Sequence, residues 1–357
     1  MSPEGLEAVD FLRRVVEIPS PSGREARLAR YLAEQLDRYA DEVFVDEVGN
    51  AVARWGRGPL NVTFLGHIDT APGAIPVRLY QNSLYGRGSV DAKGALCAAI
   101  VAMSRLQAEV LERLTVTVIG AVEEEAPSSR GARYAIETYG KPDLVIIGEP
   151  SGWDAVTLGY KGRLVLTLEQ RKQNFHSAGN DTTAAEDIVS AWEIVRAWAE
   201  KVGVESGRVF DRIQASLQDI CSQSDGLYQS AKATVGFRLP LTVPPHDAIE
   251  QLRPLVVERG LSCRFSGGEA AYKGDRDSRL ARAFRVAIRQ SGVSPRQKVK
   301  TGTSDMNVVA PVWDGPMLAY GPGDSSLDHT PDEHLPVEDY LKSVSVLVGV
   351  MNTLAGI

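Results

Sequence analysis

The residues best suited to chemistry lie in four short clusters. His67 and Asp69 are two apart in His67-Ile-Asp69, and in an extended segment that spacing puts both side chains on one side. An imidazole placed there can bind a metal ion, while the carboxylate orients the ring through its other nitrogen. A structural or surface role would leave the same pair. Asp91 stands in Gly86-Arg-Gly-Ser-Val-Asp-Ala-Lys-Gly94, where glycines permit tight turns and close approach of the backbone. It reads either as a helix cap or as a carboxylate bridging two metal ions, one oxygen on each. Glu123-Glu124-Glu125 sets three carboxylates side by side, and these repel unless solvent or cations screen them. A solvated loop is the ordinary account. In a dimetal site, one glutamate would be a ligand and its neighbour the general base for the nucleophilic water. Glu149, in Gly148-Glu-Pro150, repeats the pattern of an acid after an apolar run, as ligand or as loop acid.

Two histidines extend the set. His329 lies in the polar segment Leu327-Asp-His-Thr-Pro-Asp-Glu333, and His176 in Asn174-Phe-His-Ser-Ala-Gly179. His334 and His246 read as surface residues, His246 beside a helix start at Pro244-Pro245. Oxygen-rich donors with few histidines tolerate several metals, and two ions bridged by a carboxylate favour zinc, cobalt or manganese over a structural thiolate site.

Such groups must be held by rigid elements. Leu28, Leu32 and Leu36 recur at the helical spacing between Arg24 and Arg38. Residues 61–66, 114–122 and 143–148 are apolar or β-branched runs that read as buried strands, with a helix expected from Gly94 to Leu111. Alternating strands and helices imply an α/β fold: a mixed, mainly parallel sheet with helices on both faces. In such a sheet, functional groups gather where strands end, which is where the four clusters fall. From Lys161 the texture changes. A half-exposed strand at 163–169, a helix at 183–201, strands within 210–221 and 231–239, a helix after Pro245 and a strand at 261–265 follow in β-α-β-β-α-β order. The expectation is a catalytic domain at 1–161 and 267–357, interrupted by an α+β domain at 162–266. A helix is expected to close the chain at 337–354.

Bulk properties narrow the function. The 357 residues carry a net charge of -7, which argues against a general nucleic-acid binder. No apolar run is long enough to cross a membrane, and the amphipathic, acidic start lacks a signal-peptide core. Cys97, Cys221 and Cys263 are far apart with no paired spacing, so neither a disulfide framework nor a thiolate zinc site is indicated. Cytoplasmic residence is expected.

Taken in order, His67-x-Asp69, Gly86-Arg-Gly-x-x-Asp91-x-Lys-Gly94, Glu124-Glu125, Gly148-Glu149-Pro150, His176-Ser-Ala-Gly179 and His329-x-Pro-Asp-Glu333 resemble the dinuclear-zinc aminoacylase and carboxypeptidase family, over almost the whole chain. That family includes acetylornithine deacetylase, succinyl-diaminopimelate desuccinylase and glutamate carboxypeptidase. The resemblance implies two zinc ions per subunit, with cobalt able to substitute. His67, Asp91 and Glu149 would hold one ion; Asp91, Glu125 and His329 would hold the other. Glu124 would be the general base and Asp69 the orienter of His67. His176 would steady the oxyanion, reaching the partner subunit's site, which implies a homodimer. Arg238, Gly302 and Thr303 resemble contacts to a substrate carboxylate. The family usually shows Asp-Glu-Glu with a glycine five residues on, whereas here Gly131 lies six beyond Glu125. An insertion near Ala126-Pro127 reconciles them; the other register makes Glu123 the base and Glu124 the ligand.

Ser129-Arg-Gly-Ala-Arg133, Gly159-Tyr-Lys-Gly-Arg163 and the His176 segment look most like the lysine-biosynthesis branch. Its members release lysine or ornithine from an acidic amino-group carrier protein, by cutting the amide on the carrier's terminal glutamate side chain. Lys161, Arg163, Arg171 and Lys172 could meet that carrier, or be ordinary exposed charges. Competing readings are a deacylase of small N-acyl amino acids, a non-catalytic binding protein and a structural metal protein. The paired base and orienter argue against the binding protein, and the oxygen-rich donors against the structural site.

Overall fold

The computed structural model describes residues 3–176, 180–202 and 207–357. They fall into two compact units: Met1–Gly159 with Gly274–Val299 and Ser304–Ile357, and Tyr160–Lys273 with Lys300–Thr303. The second unit is thus wider than residues 162–266. Lys161 is completely buried, and its ammonium donates to the carbonyls of Val209 and Arg212 and to Gln214 Oε1. The Thr303 hydroxyl donates to the Lys161 carbonyl, which draws the segment at 300–303 into the same unit.

In the first unit, the β-branched and apolar runs form the centre of a mixed sheet. Seven of its nine strands lie in the order Glu42–Val45, Ala51–Trp55, Leu114–Ala121, Leu60–His67, Leu144–Gly148, Met317–Ala319 and Ala155–Tyr160. Leu60–His67 runs parallel to both Leu114–Ala121 and Leu144–Gly148, and Met317–Ala319 is parallel to Leu144–Gly148. The flanking pairs are antiparallel. Register matters most at the carboxyl ends: His67 pairs with Ala121, and Gly66 with both Gly120 and Gly148. Three strand ends therefore stop level, and the residues that follow them must converge.

The helix Lys93–Met103 (KGALCAAIVAM) is buried at every residue, as a uniformly apolar helix must be. It packs between Leu60–His67 and the helix Val337–Ala355. It stops short of the expected Leu111. The Ser104 hydroxyl donates to the Val101 carbonyl at 2.8 Å, a local bond that competes with the helical ladder, and helix resumes only at Ala108–Leu111. Arg130–Thr138 and Asp305–Val309 pack on each other and on the sheet.

The second unit is a four-stranded antiparallel sheet, ordered Gln214–Ser224, Tyr228–Leu239, Gly162–Gln173 and Ser262–Glu269. Alternate residues Leu164, Leu166 and Leu168, with Ala233, Val235 and Phe237, face a core completed by Ala184–Lys201 and Pro245–Val257. Thr183 and Glu186 form a reciprocal capping box at the start of the first of these helices. No described helix is long and apolar enough to cross a membrane.

Candidate metal centre

The three level strand ends carry the acidic and imidazole residues into one place. His67 is the last residue of its strand; Glu124 and Glu125 follow Ala121 by a tight turn; Glu149 directly follows Gly148. Asp91 arrives from the loop ahead of Lys93–Met103, after which the Asp91–Ala92 peptide is cis. His329 arrives from the loop ahead of His334–Pro336, with φ at +62°.

Asp91 lies between the two imidazoles. Its Oδ1 is 3.3 Å from His67 Nε2, and its Oδ2 is 3.1 Å from His329 Nε2. His329 Nε2 is also 3.0 Å from Glu125 Oε1, and His67 Nε2 is 3.9 Å from Glu149 Oε1. Donor atoms of His67, Glu124 and Glu149 lie within 4.8 Å of one another, as do those of Asp91, Glu125 and His329. Donors sharing a tetrahedral ion at about 2.1 Å stand about 3.4 Å apart, so these spacings suit two ions with Asp91 between them. Glu124 thus stands with His67 and Glu149, a set expected to consist of His67, Asp91 and Glu149. The three cysteines are free, and none joins either group.

Asp69 is fully buried and organises the turn. Its Oδ1 is 3.3 Å from His67 Nδ1 and accepts the Glu124 amide at 3.1 Å; its Oδ2 accepts the Glu125 amide at 3.0 Å and the Ser22 hydroxyl at 2.7 Å. The ring Nδ1 is also 3.0 Å from the Asp69 carbonyl. Glu123 turns away: φ is +59°, its carboxylate accepts from Ser128 Oγ at 2.6 Å and pairs with Arg130 at 3.1 Å. Only Glu124 and Glu125 of the triplet thus stand with the histidines.

The electrostatics follow from crowding acids in a dry place. Burial pushes the Glu124 carboxyl well above the usual range against the pull of His67, and Glu149 and Asp305 add to the push. Glu125 is raised by burial and by Asp91. Burial works against Asp91 ionising, yet hydrogen bonds from His329 and His67 hold it low. Hydrogen bonding to Asp91 raises His329 to about 9. Asp305, buried at the head of its short helix, is pushed by burial up to about 7, despite His67. Two nearby cations would relieve this mutual repulsion.

Several supports carry no signal strong enough to find in sequence. Glu25, buried, accepts the amides of Gly23 and Glu123 through Oε1. Asn50, completely buried, accepts the Val122 amide at 3.0 Å and donates to the Gly131 carbonyl at 3.1 Å. A β-carbon on Gly131 would lie 2.4 Å from Asn50 Oδ1 and 2.5 Å from Val122 N. Gly131 is therefore required where its helix meets the strand end. Only Ser20-Pro-Ser22-Gly23 and the glycine spacing hint at these roles.

In the second unit, Arg238 hydrogen-bonds the Thr303 hydroxyl, and open space lies where a Gly302 β-carbon would stand. Burial lowers the Arg238 pKa, and Arg163 lowers it further. His176 is exposed; Ser177, Ala178 and Gly179 of its motif lie outside the described residues. The basic cluster is corrected. Lys161 is buried and so leaves the exposed set, while Lys172 pairs with Asp187 at 2.6 Å and Arg171, exposed, stacks on Tyr228 at 4.4 Å. His334 stacks on Tyr85 with ring centroids 4.7 Å apart, and His246 is exposed.

A mixed α/β unit with paired donor groups at its strand ends offers the ligand set that a metal-dependent hydrolase needs. Residues 63–353 match the peptidase family M20/M25/M40, and the chain belongs to that family. It is similar to a LysW-lysine hydrolase of Deinococcus radiodurans, with 50% identity over 99% of both chains. It is 39% identical to a Thermococcus kodakarensis protein named for LysW-lysine and LysW-ornithine hydrolysis, over 98% of this chain and 93% of that one. The fold matches an M20 metallo-carboxypeptidase of Sulfolobus solfataricus, TM-score 0.82 at 18% identity, covering 98% and 100% of the two chains. It also matches a dinuclear metal-binding M20 peptidase of Bacillus subtilis, TM-score 0.72 at 12% identity over 100% and 99%. The chain is accordingly a hydrolase of the M20/M25/M40 peptidase family, with two groups of candidate metal donors at its strand ends.

Proposed function

We propose that the chain hydrolyses the amide joining lysine, or ornithine, through its α-amino group to the terminal glutamate side chain of an acidic amino-group carrier protein, in lysine or arginine biosynthesis. The carrying observation is the 50% identity, over 99% of both chains, to a protein named for LysW-lysine hydrolysis. We assign one metal to His67, Asp91 and Glu149 and the other to Asp91, Glu125 and His329, with zinc as the resident ion and cobalt able to replace it. Bound there, the ions would polarise the amide carbonyl and make water a stronger nucleophile at neutral pH.

The remaining chemistry belongs to the chain. Glu124 accepts the proton of the attacking water and returns it to the departing α-amine. Its burial, which favours the protonated carboxyl, suits the second of those steps. Asp69 fixes the tautomer of His67 by accepting from Nδ1–H, which turns Nε2 towards Asp91. His176 donates to the developing oxyanion, supplied by the partner of a homodimer. Arg238, Gly302 and Thr303 take the carboxylate of the amino acid. The second unit serves as lid and dimerisation domain. Cytoplasmic residence fits three unpaired cysteines, and the acidic net charge speaks against nucleic-acid partners.

The test measures amino acid released by the zinc-loaded protein, using mass spectrometry on two substrates. One is the carrier bearing lysine on its terminal glutamate, the other N-acetyl-lysine. Strong preference for the conjugate supports the proposal; preference for the small substrate makes the chain a small-molecule deacylase; no release from either, with two ions bound, supports a binding protein.

A further inference from the structure

Glu333 is a buried carboxylate, 1% exposed, on the segment that carries His329. Its Oε1 accepts the backbone amides of Val90 at 3.0 Å and Asp91 at 3.2 Å. Its Oε2 accepts Arg87 Nη1 at 2.8 Å. The same Arg87 nitrogen donates to the Thr330 carbonyl at 3.3 Å, and Arg87 Nε donates to the Gly73 carbonyl at 3.1 Å. The Gly86 amide donates back to the Glu333 carbonyl at 3.3 Å. Beyond the pair, His334–Pro336 runs antiparallel to Ser83–Tyr85, with His334 opposite Tyr85.

Two loops far apart in sequence are thus stitched together along their length. One ends in Asp91 and the other begins at His329, the two residues whose side chains meet at 3.1 Å. Burying a carboxylate and a guanidinium is costly unless every bond is made, and Glu333 makes three. A packing role needs no charge; holding two backbone amides and an arginine on the neighbouring loop does.

We propose that Glu333 and Arg87 are positioning residues for the metal centre, setting the register between the Asp91 loop and the His329 loop. This rests on the two-metal assignment given above. The ion held by Asp91, Glu125 and His329 depends on the register of both loops. The ion held by His67 and Glu149 shares only Asp91 with them, and its other donors come from the strand ends. Loss of the clamp therefore weakens that ion more than the other, which feels it only through Asp91. Outer-shell partners of metal ligands typically contribute about 10–100-fold in affinity.

The test is calorimetric titration of chelator-stripped protein with zinc chloride, for the native chain, Glu333→Ala, Glu333→Gln and Arg87→Met. The native chain is expected to take up two ions. In Glu333→Ala and Arg87→Met one uptake weakens about 10–100-fold while the other weakens clearly less. Glu333→Gln, which keeps an acceptor oxygen for the Val90 and Asp91 amides, recovers part of the loss. Equal affinities for both ions in all variants overturn the inference, and so does equal weakening of both, which would mark a general structural defect. If Glu333→Ala fails to fold, Arg87→Met decides by the same criterion. A native chain that binds fewer than two ions would overturn the two-metal reading itself, and the inference with it.

Discussion

At the scale of single residues, Glu124 and Glu125 are adjacent yet face different surroundings. Both amides donate to Asp69, but only the Glu125 carboxylate meets His329, while Glu124 stands with His67 and Glu149. Glu124→Gln keeps the shape and loses the carboxylate that takes up and returns the proton. It is expected to leave zinc content unchanged and lower kcat by about 10²–10⁴-fold, the usual yield of general acid–base catalysis; a near-native rate would remove Glu124 from the role of base. Asp91→Ala takes away a side chain that meets both imidazoles. Metal analysis of that variant should find both ions lost or greatly weakened, and two ions retained would contradict a bridging carboxylate. The histidines, the aspartates and the acidic triplet were legible as residue types. The direction in which Glu123 points was not, because it depends on a positive φ and on Ser128 and Arg130 across the turn.

At the scale of elements, the site exists because three parallel strands end level. Apolar, β-branched runs announced those strands, and their type was readable because β-branched side chains fit a pleated, buried surface. Their neighbours in the sheet were not readable, since pairing is decided by residues far apart in sequence. Asn50 illustrates what this hides. It sits after a turn, looks like any turn asparagine, and yet bonds Val122 and Gly131 from a completely buried position. Asn50→Ala strips partners from a buried amide and a buried carbonyl, at about 1–3 kcal/mol for each unsatisfied group. Urea unfolding should show that loss, together with reduced turnover as the Glu123–Glu125 turn loosens. A variant as stable as the native chain would show that water replaces the side chain. The helix expected through Leu111 failed for a local reason: Ser104 bonds its own backbone, and apolar periodicity carries no trace of that competition.

At the scale of the whole molecule, the centre gathers Asp69, Asp91, Glu124, Glu125 and Glu149 at the end of one sheet, with raised carboxyl pKa values at Glu124 and Glu125. Metal ions would bind the folded chain and relieve that repulsion. Each ion held at 1,000-fold over its Kd adds about 4 kcal/mol to stability. Stripping the protein with chelator should therefore lower its melting temperature, and zinc should restore it; a melting temperature indifferent to both would exclude tightly bound ions. Residue types and the periodicity of apolar runs were enough to determine a mixed α/β chain and to mark its acidic and imidazole clusters, while the metal-dependent hydrolytic reading came from the resemblance of those ordered motifs to a known family. These signals are local, and survive reading one residue after another. Only the tertiary structure decided that Asp91 lies between the two histidines, that Glu123 leaves the cluster, that Lys161 is buried rather than offered to a partner, and that Glu333 ties the Asp91 loop to its own. Each of those depends on which distant segments pack together, and a buried polar group reveals its purpose only when its partners arrive from elsewhere in the chain.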